Sequence, residues 1–425
     1  LGQPEGEALL RPGESIEAAL SRIARHPEGV VLAVQGPPGS GKTYQAAVLI
    51  LDLIRSGKRV GVTANSHAVI SSLLKKVQEL AGDARTRAVH IDDEDDEDGL
   101  WPFEFEKDKK KVAKRLFAGE LDLVGGTSWV WASPAYETSV DVLVVDEAGQ
   151  IALANVLAIA RAAKTLVLVG DPAQLEQPQK GVHPPGADVS ALQYLLGGHA
   201  LTIPPDLGIF LPATRRLHPK ICAFISCAFY ENRLHPIDGL ENQAIGGAPR
   251  YAGSGLRFIA VEHRGNTNRA PEEVAAVLEI LRELGLDQAE TSATATFTER
   301  NGTTRPLRQK DVLVVAPYNA QVAALRRALP DAVLVGTVDR FQGKEAPIVI
   351  YTLTSSTAEE APRGLEFLLN PNRLNVAISR AQALSILVAS PELTRVSCRT
   401  PRQMQLVNAL CTYLEMAEAP STAVP

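Results

Sequence analysis

One nonapeptide constrains this chain more than anything else in it: Gln35-Gly36-Pro37-Pro38-Gly39-Ser40-Gly41-Lys42-Thr43. Its pattern, G-x-x-x-x-G-K-T, stands directly after the apolar run Val30 to Val34 and directly before the helix-period stretch Lys42 to Arg55. A strand, a glycine-rich turn and a helix in that order build a cradle for a phosphate chain. Glycines let the backbone curl so that successive N–H groups point inward, and the helix N-terminus adds its positive end. Lys42 has the reach to meet β- and γ-phosphates, and the Thr43 hydroxyl is a hard oxygen ligand suited to magnesium. The expected nucleotide contacts are Gly36, Pro37, Pro38, Gly39, Ser40, Gly41, Lys42, Thr43 and the adjoining Tyr44, with ATP and Mg2+ as cofactors.

The rhythm around this loop sets the fold class. Val30 to Val34, Arg59 to Thr63, Val140 to Val145 and Thr165 to Val169 are short apolar runs, with helix-period stretches such as Lys42 to Arg55 and Val69 to Leu80 among them. Runs apolar on both faces, separated by crossover helices, belong to parallel α/β sheets. A Pro- and Gly-rich interval from Gly181 to Pro205 breaks the pattern. It restarts with Asp311 to Ala316, Ala332 to Val338, Ile348 to Leu353 and Leu384 to Val388. A length of 425 residues exceeds one ordinary core, so the expectation is two α/β domains, residues 1–205 and 206–425. The segments of about 82–120 and 238–304 fit neither sheet and read as short insertions.

Further along, Val142-Leu143-Val144-Val145-Asp146-Glu147 is an apolar strand ending in two acids. Beside a phosphate loop such an Asp holds magnesium, and the adjacent Glu can polarise an attacking water. Gly170-Asp171-Pro172-Ala173-Gln174-Leu175 follows another apolar run, and Gln174 is placed to sense the γ-phosphate. Lys42, Asp146, Glu147 and Gln174 are therefore the catalytic candidates of the first half, with Thr43 and Asp146 as the metal ligands.

Composition narrows the partners. Hydrophobic content of 45% and charged content of 22% are those of a folded water-soluble protein. No apolar stretch reaches the roughly 18 residues of a membrane span, and a cytoplasmic location is expected. Because Leu1 opens the chain in place of Met, a longer parent protein is expected. The net charge of −6 runs against the basic footprint of nucleic-acid binding, yet seven consecutive acids, Asp92 to Asp98, carry more than that whole excess. That run reads as a solvated loop or as a regulatory polyanion mimic. Four scattered cysteines make no disulfide framework, and the eight histidines form no i, i+4 pair, so spacing supports no transition-metal site.

In sequence and spacing these segments resemble superfamily 1 helicases of the 5′-to-3′ group, the branch of the nonsense-mediated-decay helicase and the Okazaki-fragment nuclease-helicase. The resemblance rests on Gly36 to Thr43, Asp146 to Gln150, Gly170 to Leu175, Arg215 to Pro219, Val338 to Glu345 and Asn372 to Ala381. More narrowly, the chain is similar to bacterial proteins in which such a motor follows a RecB-like nuclease domain. The resemblance implies two tandem RecA-like P-loop domains and a monomeric motor core acting on single-stranded nucleic acid, DNA more than RNA. It further implies that Arg216 and Arg380 meet the γ-phosphate, and that Arg215, Gln342, Gly343 and Glu345 line the nucleotide site.

For the strand itself, Thr63, Ala64, Asn65 and Ser66 follow one apolar run and Thr127 another, while Pro317, Tyr318 and Thr337 stand at matching places in the second half. These look like the family's contacts to phosphates. Trp129 and Trp131 read either as core or as stacking surfaces, and Lys107 to Arg115 either as a solvated face or as a phosphate rail. The chain departs from the family in three ways: Gln3 lies too far upstream for an adenine-selecting motif, Arg215 stands where relatives often have Tyr, and the insertion at 82–120 is small. Two rivals remain: a small-molecule P-loop kinase or synthetase, and an ATP-driven clamp that does not separate strands.

Overall fold

In the first half of the chain, apolar runs become the strands of a single parallel sheet. The structure is a computed structural model and describes residues 6–93, 101–175, 189–197, 200–288, 294–341 and 343–418. It divides into two compact units, Leu1–Leu211 and Pro212–Pro425. Among the described residues the sheet of the first unit holds β1 (Val31–Gln35), β2 (Val60–Thr63), β3 (Ala88–His90), β4 (Glu104–Phe105), β5 (Leu123–Gly125), β6 (Val140–Val145), β7 (Ala163–Gly170) and β8 (Gly208–Phe210). Their order is β4-β3-β5-β2-β6-β7-β1-β8, and every neighbouring pair is parallel.

That order places the chemistry. In a parallel sheet all strands end at one edge, so the loops after β1, β7, β6, β2 and β5 share that edge, where α/β sheets bind ligands. Helices α1 (Ile16–Ala24), α2 (Lys42–Arg55), α3 (His67–Ala81) and α4 (Lys109–Phe117) are spaced along the same unit. Ser66 begins α3 with its hydroxyl accepting from the Val69 N–H at 3.4 Å, and Asp108 begins α4 by accepting from Lys110 N at 2.8 Å. The core joins Leu32 and Val34 of β1, Ile50 and Leu53 of α2, Val62 of β2, Leu73 and Leu74 of α3, and Val144 and Val167. Each such side chain contributes on the order of 2 kcal/mol by leaving water.

Two expectations need correction. The first-unit boundary lies after Leu211, not after Pro205, because β8 pairs with β1 (Ala33 with Gly208, Gln35 with Phe210) and Ile209 and Leu211 join the first core. The segment 82–120 is no detached insertion either: β3 and β4 extend the sheet beyond β5, with Val89 beside Val124 and Val89 beside Glu104. Three- and two-residue strands are too short for a periodicity reading to detect.

The second unit repeats the design. β9 (Ala213–Thr214) and β10 (His235–Pro236) pair in parallel, and β11 (Ala244–Gly246), β13 (Thr296–Thr298) and β14 (Thr304–Pro306) form a small antiparallel sheet. The main sheet contains β12 (Gly255–Ala260), β15 (Val312–Val315), β16 (Leu334–Gly336), β17 (Ala346–Thr352) and β18 (Ala381–Ala389), all parallel in the order β12-β18-β17-β15-β16. Among the described residues the expected insertion 238–304 thus donates an edge strand, β12, to the main sheet, while β11 and β13 join β14 in the separate small sheet.

Candidate nucleotide site and nucleic-acid loops

The phosphate loop leaves β1 beside β7. Gly36 donates its N–H to the Gly170 carbonyl at 2.8 Å, tying the loop to the turn that carries Gln174. A Cβ on Gly36 would sit 2.2 Å from Cγ of Lys42, so only glycine lets the lysine stem fold across the loop. Nζ of Lys42 donates to the Gly36 carbonyl at 2.7 Å. Gly39 and Gly41 have φ of 73° and 81°, the left-handed region the curl requires. Tyr44 stands exposed on the first turn of α2.

Next to β7, β6 ends in Asp146, which is buried, and Glu147, which is half-buried. Burial, with the adjacent Glu147 charge, pushes the Asp146 carboxyl well above the usual carboxylate range, while Lys42 pulls the other way. Glu147 holds φ 53° and ψ 37°, an uncommon left-handed backbone for a residue with a side chain. The turn is braced by contact of two glycine backbones. A Cβ on Gly149 would lie 2.5 Å from the Asp171 carbonyl oxygen, and one on Gly170 would lie 2.6 Å from Gly149 N. Gln174 is buried, and its amide donates to Asp171 at 2.7 Å.

A hydrogen-bond chain absent from the sequence reading links this turn to the loop after β2. Asn65 Nδ2 donates to Gln150 Oε1 at 2.6 Å, and Gln150 Nε2 donates to Glu147 Oε2 at 3.3 Å. β2 lies beside β6, with Thr63 opposite Val145, and that pairing brings the two loops together. No local signal singles out Gln150, since its partner is 85 residues away in sequence.

Among the expected strand contacts, Asn65 and Ser66 are exposed at the start of α3, and Thr127 is half-buried at the cap of the short helix Ser128–Trp131. Thr63 and Ala64 are buried, as are Pro317 and Tyr318 in the second unit, and Thr337 is half-buried. The two tryptophans part company. Trp131 is 1% exposed and packs over Gly61, its indole N–H donating to the Val62 and Gly126 carbonyls, whereas Trp129 is 83% exposed. Lys109 to Arg115 lie on α4, whose Val112, Ala113 and Leu116 face inward; Lys111 pairs with Glu106 and Arg115 with Glu104.

In the second unit the two expected arginines come together. Arg216 donates to Glu345 and, at 3.2 Å, to the Ser379 carbonyl; Gln382 donates to the other Glu345 oxygen at 2.9 Å. Arg380 is buried, with its guanidinium 3.4 Å from the Lys344 carbonyl. Glu345 thus holds Arg216 in place. Arg215 and Gly343 are exposed, and Gln342 lies outside the described residues, as do Gln3 and the acids from Glu94 to Asp98.

The donor set fits a hard divalent cation: the Thr43 hydroxyl at the start of α2 and the buried Asp146 carboxylate are both oxygen ligands. A cation there would also relieve the cost of ionising Asp146 in a buried place.

Residues 16–183 and residues 189–392 each match an AAA domain family. The DNA replication ATP-dependent helicase/nuclease JHS1 of Arabidopsis thaliana is 24% identical over 401 residues, spanning 88% of this chain and 28% of that protein. Replicase polyprotein 1ab of Bat coronavirus 512/2005 is 28% identical over 380 residues, spanning 88% of this chain and 5% of the polyprotein. The chain therefore spans less than a third of either relative. A solved arterivirus nonstructural protein 10 helicase with DNA is similar at 13% identity and a TM-score of 0.42, over 92% of this chain and 64% of that one. Among the described residues no helix is long and apolar enough to cross a membrane. With the phosphate loop, the carboxylate turn and the Gln174 turn assembled at one sheet edge, the chain carries two stretches that are each similar to an AAA domain and is similar over most of its length to a protein named as an ATP-dependent helicase/nuclease.

Proposed function

We propose that this chain is a motor that moves 5′-to-3′ along single-stranded nucleic acid, DNA in preference to RNA, driven by ATP and Mg2+. The observation that carries the reading is the bonded chain Asn65–Gln150–Glu147, which joins an exposed loop at the start of α3 to the acid beside the phosphate cradle. A strand held at Asn65 and Ser66 then bears directly on the group that orients the attacking water.

In this reading the glycine loop and Lys42 bind the β- and γ-phosphates, and Gln174 senses the γ-phosphate. Mg2+, held by Thr43 and Asp146, supplies charge neutralisation on the phosphate oxygens. Glu147 accepts the proton of the attacking water as it adds to the γ-phosphorus and ADP leaves. Arg216 and Arg380, set by Glu345 and the Lys344 carbonyl, serve the charge on the transferring phosphoryl group. Arg215, Gln342, Gly343 and Glu345 complete the nucleotide contacts. Phosphate contacts read no sequence, so specificity for particular bases is not expected.

An ATP-driven clamp that does not part strands is the second reading. It is favoured by the small 82–120 segment, whose described residues join the main sheet and form one nine-residue helix with no separate wedge. A nuclease domain upstream in a longer protein fits the resemblance to nuclease-helicases. The deciding experiment measures ATPase rate with single-stranded DNA and then with single-stranded RNA. Strong stimulation by DNA and weaker stimulation by RNA is expected; equal rates with and without either would remove the motor reading in favour of a small-molecule ATPase.

A further inference from the structure

Three metal-binding side chains distant in the sequence meet at the start of α3. His67 Nδ1 lies 3.2 Å from His90 Nε2 and 2.9 Å from an Asp92 oxygen, and all three ligand atoms fall within 4.8 Å of one another. Among the described residues this is the one place where three such groups converge. None of them touches the phosphate loop, and the site reading above uses none of them.

We infer that His67, His90 and Asp92 form a zinc site that pins the N-terminus of α3 to the end of β3. Two imidazole nitrogens and one carboxylate oxygen make a donor set that Zn2+ takes in tetrahedral geometry with a fourth position left for water. With Zn–N bonds of about 2.0–2.1 Å, adjacent tetrahedral ligands stand about 3.3 Å apart. The observed 3.2 Å and 2.9 Å separations lie close to it, and the third pair, His90 and Asp92, is within 4.8 Å and would close toward it as the ion draws the side chains in.

The surroundings suit the ion as well. His90 is fully buried, and its other nitrogen, Nδ1, lies 3.0 Å from the Ser71 hydroxyl. An Nδ1–H donated to Ser71 fixes the tautomer whose Nε2 lone pair faces His67 and Asp92, which is how outer-shell partners orient a metal-bound imidazole. In the metal-free molecule one proton on His67 Nδ1 is then shared between His90 and Asp92, and a cation at the same place would take both acceptors. Phe103 and Phe105, with ring centroids 6.2 Å and 5.4 Å from that of His90, supply an apolar backing. The half-exposed His67 keeps the site open to solvent on the other side. An ion here would stiffen the loop carrying Asn65 and Ser66, because His67 is the next residue on the same turn.

The test titrates the whole chain, stripped with a chelator and then kept in excess magnesium without nucleotide, with Zn2+ against a colorimetric zinc indicator. One equivalent is expected, with His67→Ala and Asp92→Asn each weakening the affinity at least about tenfold and Ser71→Ala weakening it by less. Because His90 is buried, His90→Gln is used only if its melting curve shows a folded chain. As a second measurement, zinc should raise the melting temperature of the unaltered protein and leave that of His67→Ala unmoved. Absence of a stoichiometric zinc, or equal affinity in the unaltered protein and in both His67→Ala and Asp92→Asn, overturns the assignment.

Discussion

At the residue scale the chemistry rests on few side chains, and each can be separated from its neighbours. Glu147→Gln keeps the size of the side chain and removes the base, so ATP binding should stay near normal while turnover slows by about two orders of magnitude or more. Lys42→Ala, in contrast, should weaken both, because the lysine faces phosphates before and during reaction. Equal and mild effects of the two changes on steady-state hydrolysis would reverse these assignments. The tryptophans give a second contrast. Trp131→Ala empties a buried site with two indole hydrogen bonds and should cost about 3–5 kcal/mol of stability in a denaturant melt. Trp129→Ala removes an 83% exposed ring, so stability should change by less than about 0.5 kcal/mol. If Trp129 stacks on a base, single-strand binding should fall by roughly 1–3 kcal/mol, and an unchanged dissociation constant would leave it a surface residue.

Elements decide where those side chains stand. Strand β8 belongs to the first sheet through its pairing with β1, the strand that launches the phosphate loop. A fragment of the first unit ending at Pro205 should therefore melt several degrees below one ending at Leu211, since it lacks Ile209 and Leu211 from the core. Identical melting temperatures would show that β8 adds nothing to the unit. The two turns at the carboxylate end carry a sharper expectation. Gly149→Ala puts a methyl group 2.5 Å from the Asp171 carbonyl oxygen, which backbone cannot yield cheaply. The Glu147 and Gln174 turns must then separate, and hydrolysis should fall at least tenfold with the circular-dichroism spectrum unchanged. Full activity in that variant would show that the spacing of the turns is not critical.

For the whole molecule the open question is direction. The family resemblance favours entry from a 5′ single-stranded tail, and partial duplexes with a 5′ or a 3′ tail, compared at low salt so that phosphate contacts are not screened, distinguish the two. Displacement from the 5′ tail alone is expected, weakly, given the small 82–120 segment. Preferential displacement from the 3′ tail would sink the branch and leave the motor; strong stimulated hydrolysis with no displacement from either would favour the clamp. Arg380→Ala and Arg216→Ala belong to the same scale, because each should abolish most nucleic-acid-stimulated hydrolysis while sparing single-strand binding without nucleotide. Retained stimulation in either variant removes that arginine from the γ-phosphate.

Local order was enough for much of this. The phosphate loop, the acids after β6 and the long apolar strands are written in consecutive residues, because a cradle of N–H groups and a strand buried on both faces impose their demands on neighbours in the chain. Short strands escaped: β3, β4 and β8 have too few residues to show a period, and they are strands only because β5, β3 and β1 in turn offer them an edge. Burial escaped as well, since Trp129 and Trp131 differ by two positions and by nearly the whole range of exposure, according to which side of one helical turn meets Gly61. What the amino-acid order determined by itself was the class of chemistry at the first sheet edge. What only the tertiary structure decided was which distant residues meet: in the first unit Asn65 with Gln150 and Glu147, and His67 with His90 and Asp92; in the second unit Arg216 with Glu345. The physical reason is that parallel strands deliver residues far apart in sequence to one edge, and no sequence spacing records a neighbour gained by the order of strands.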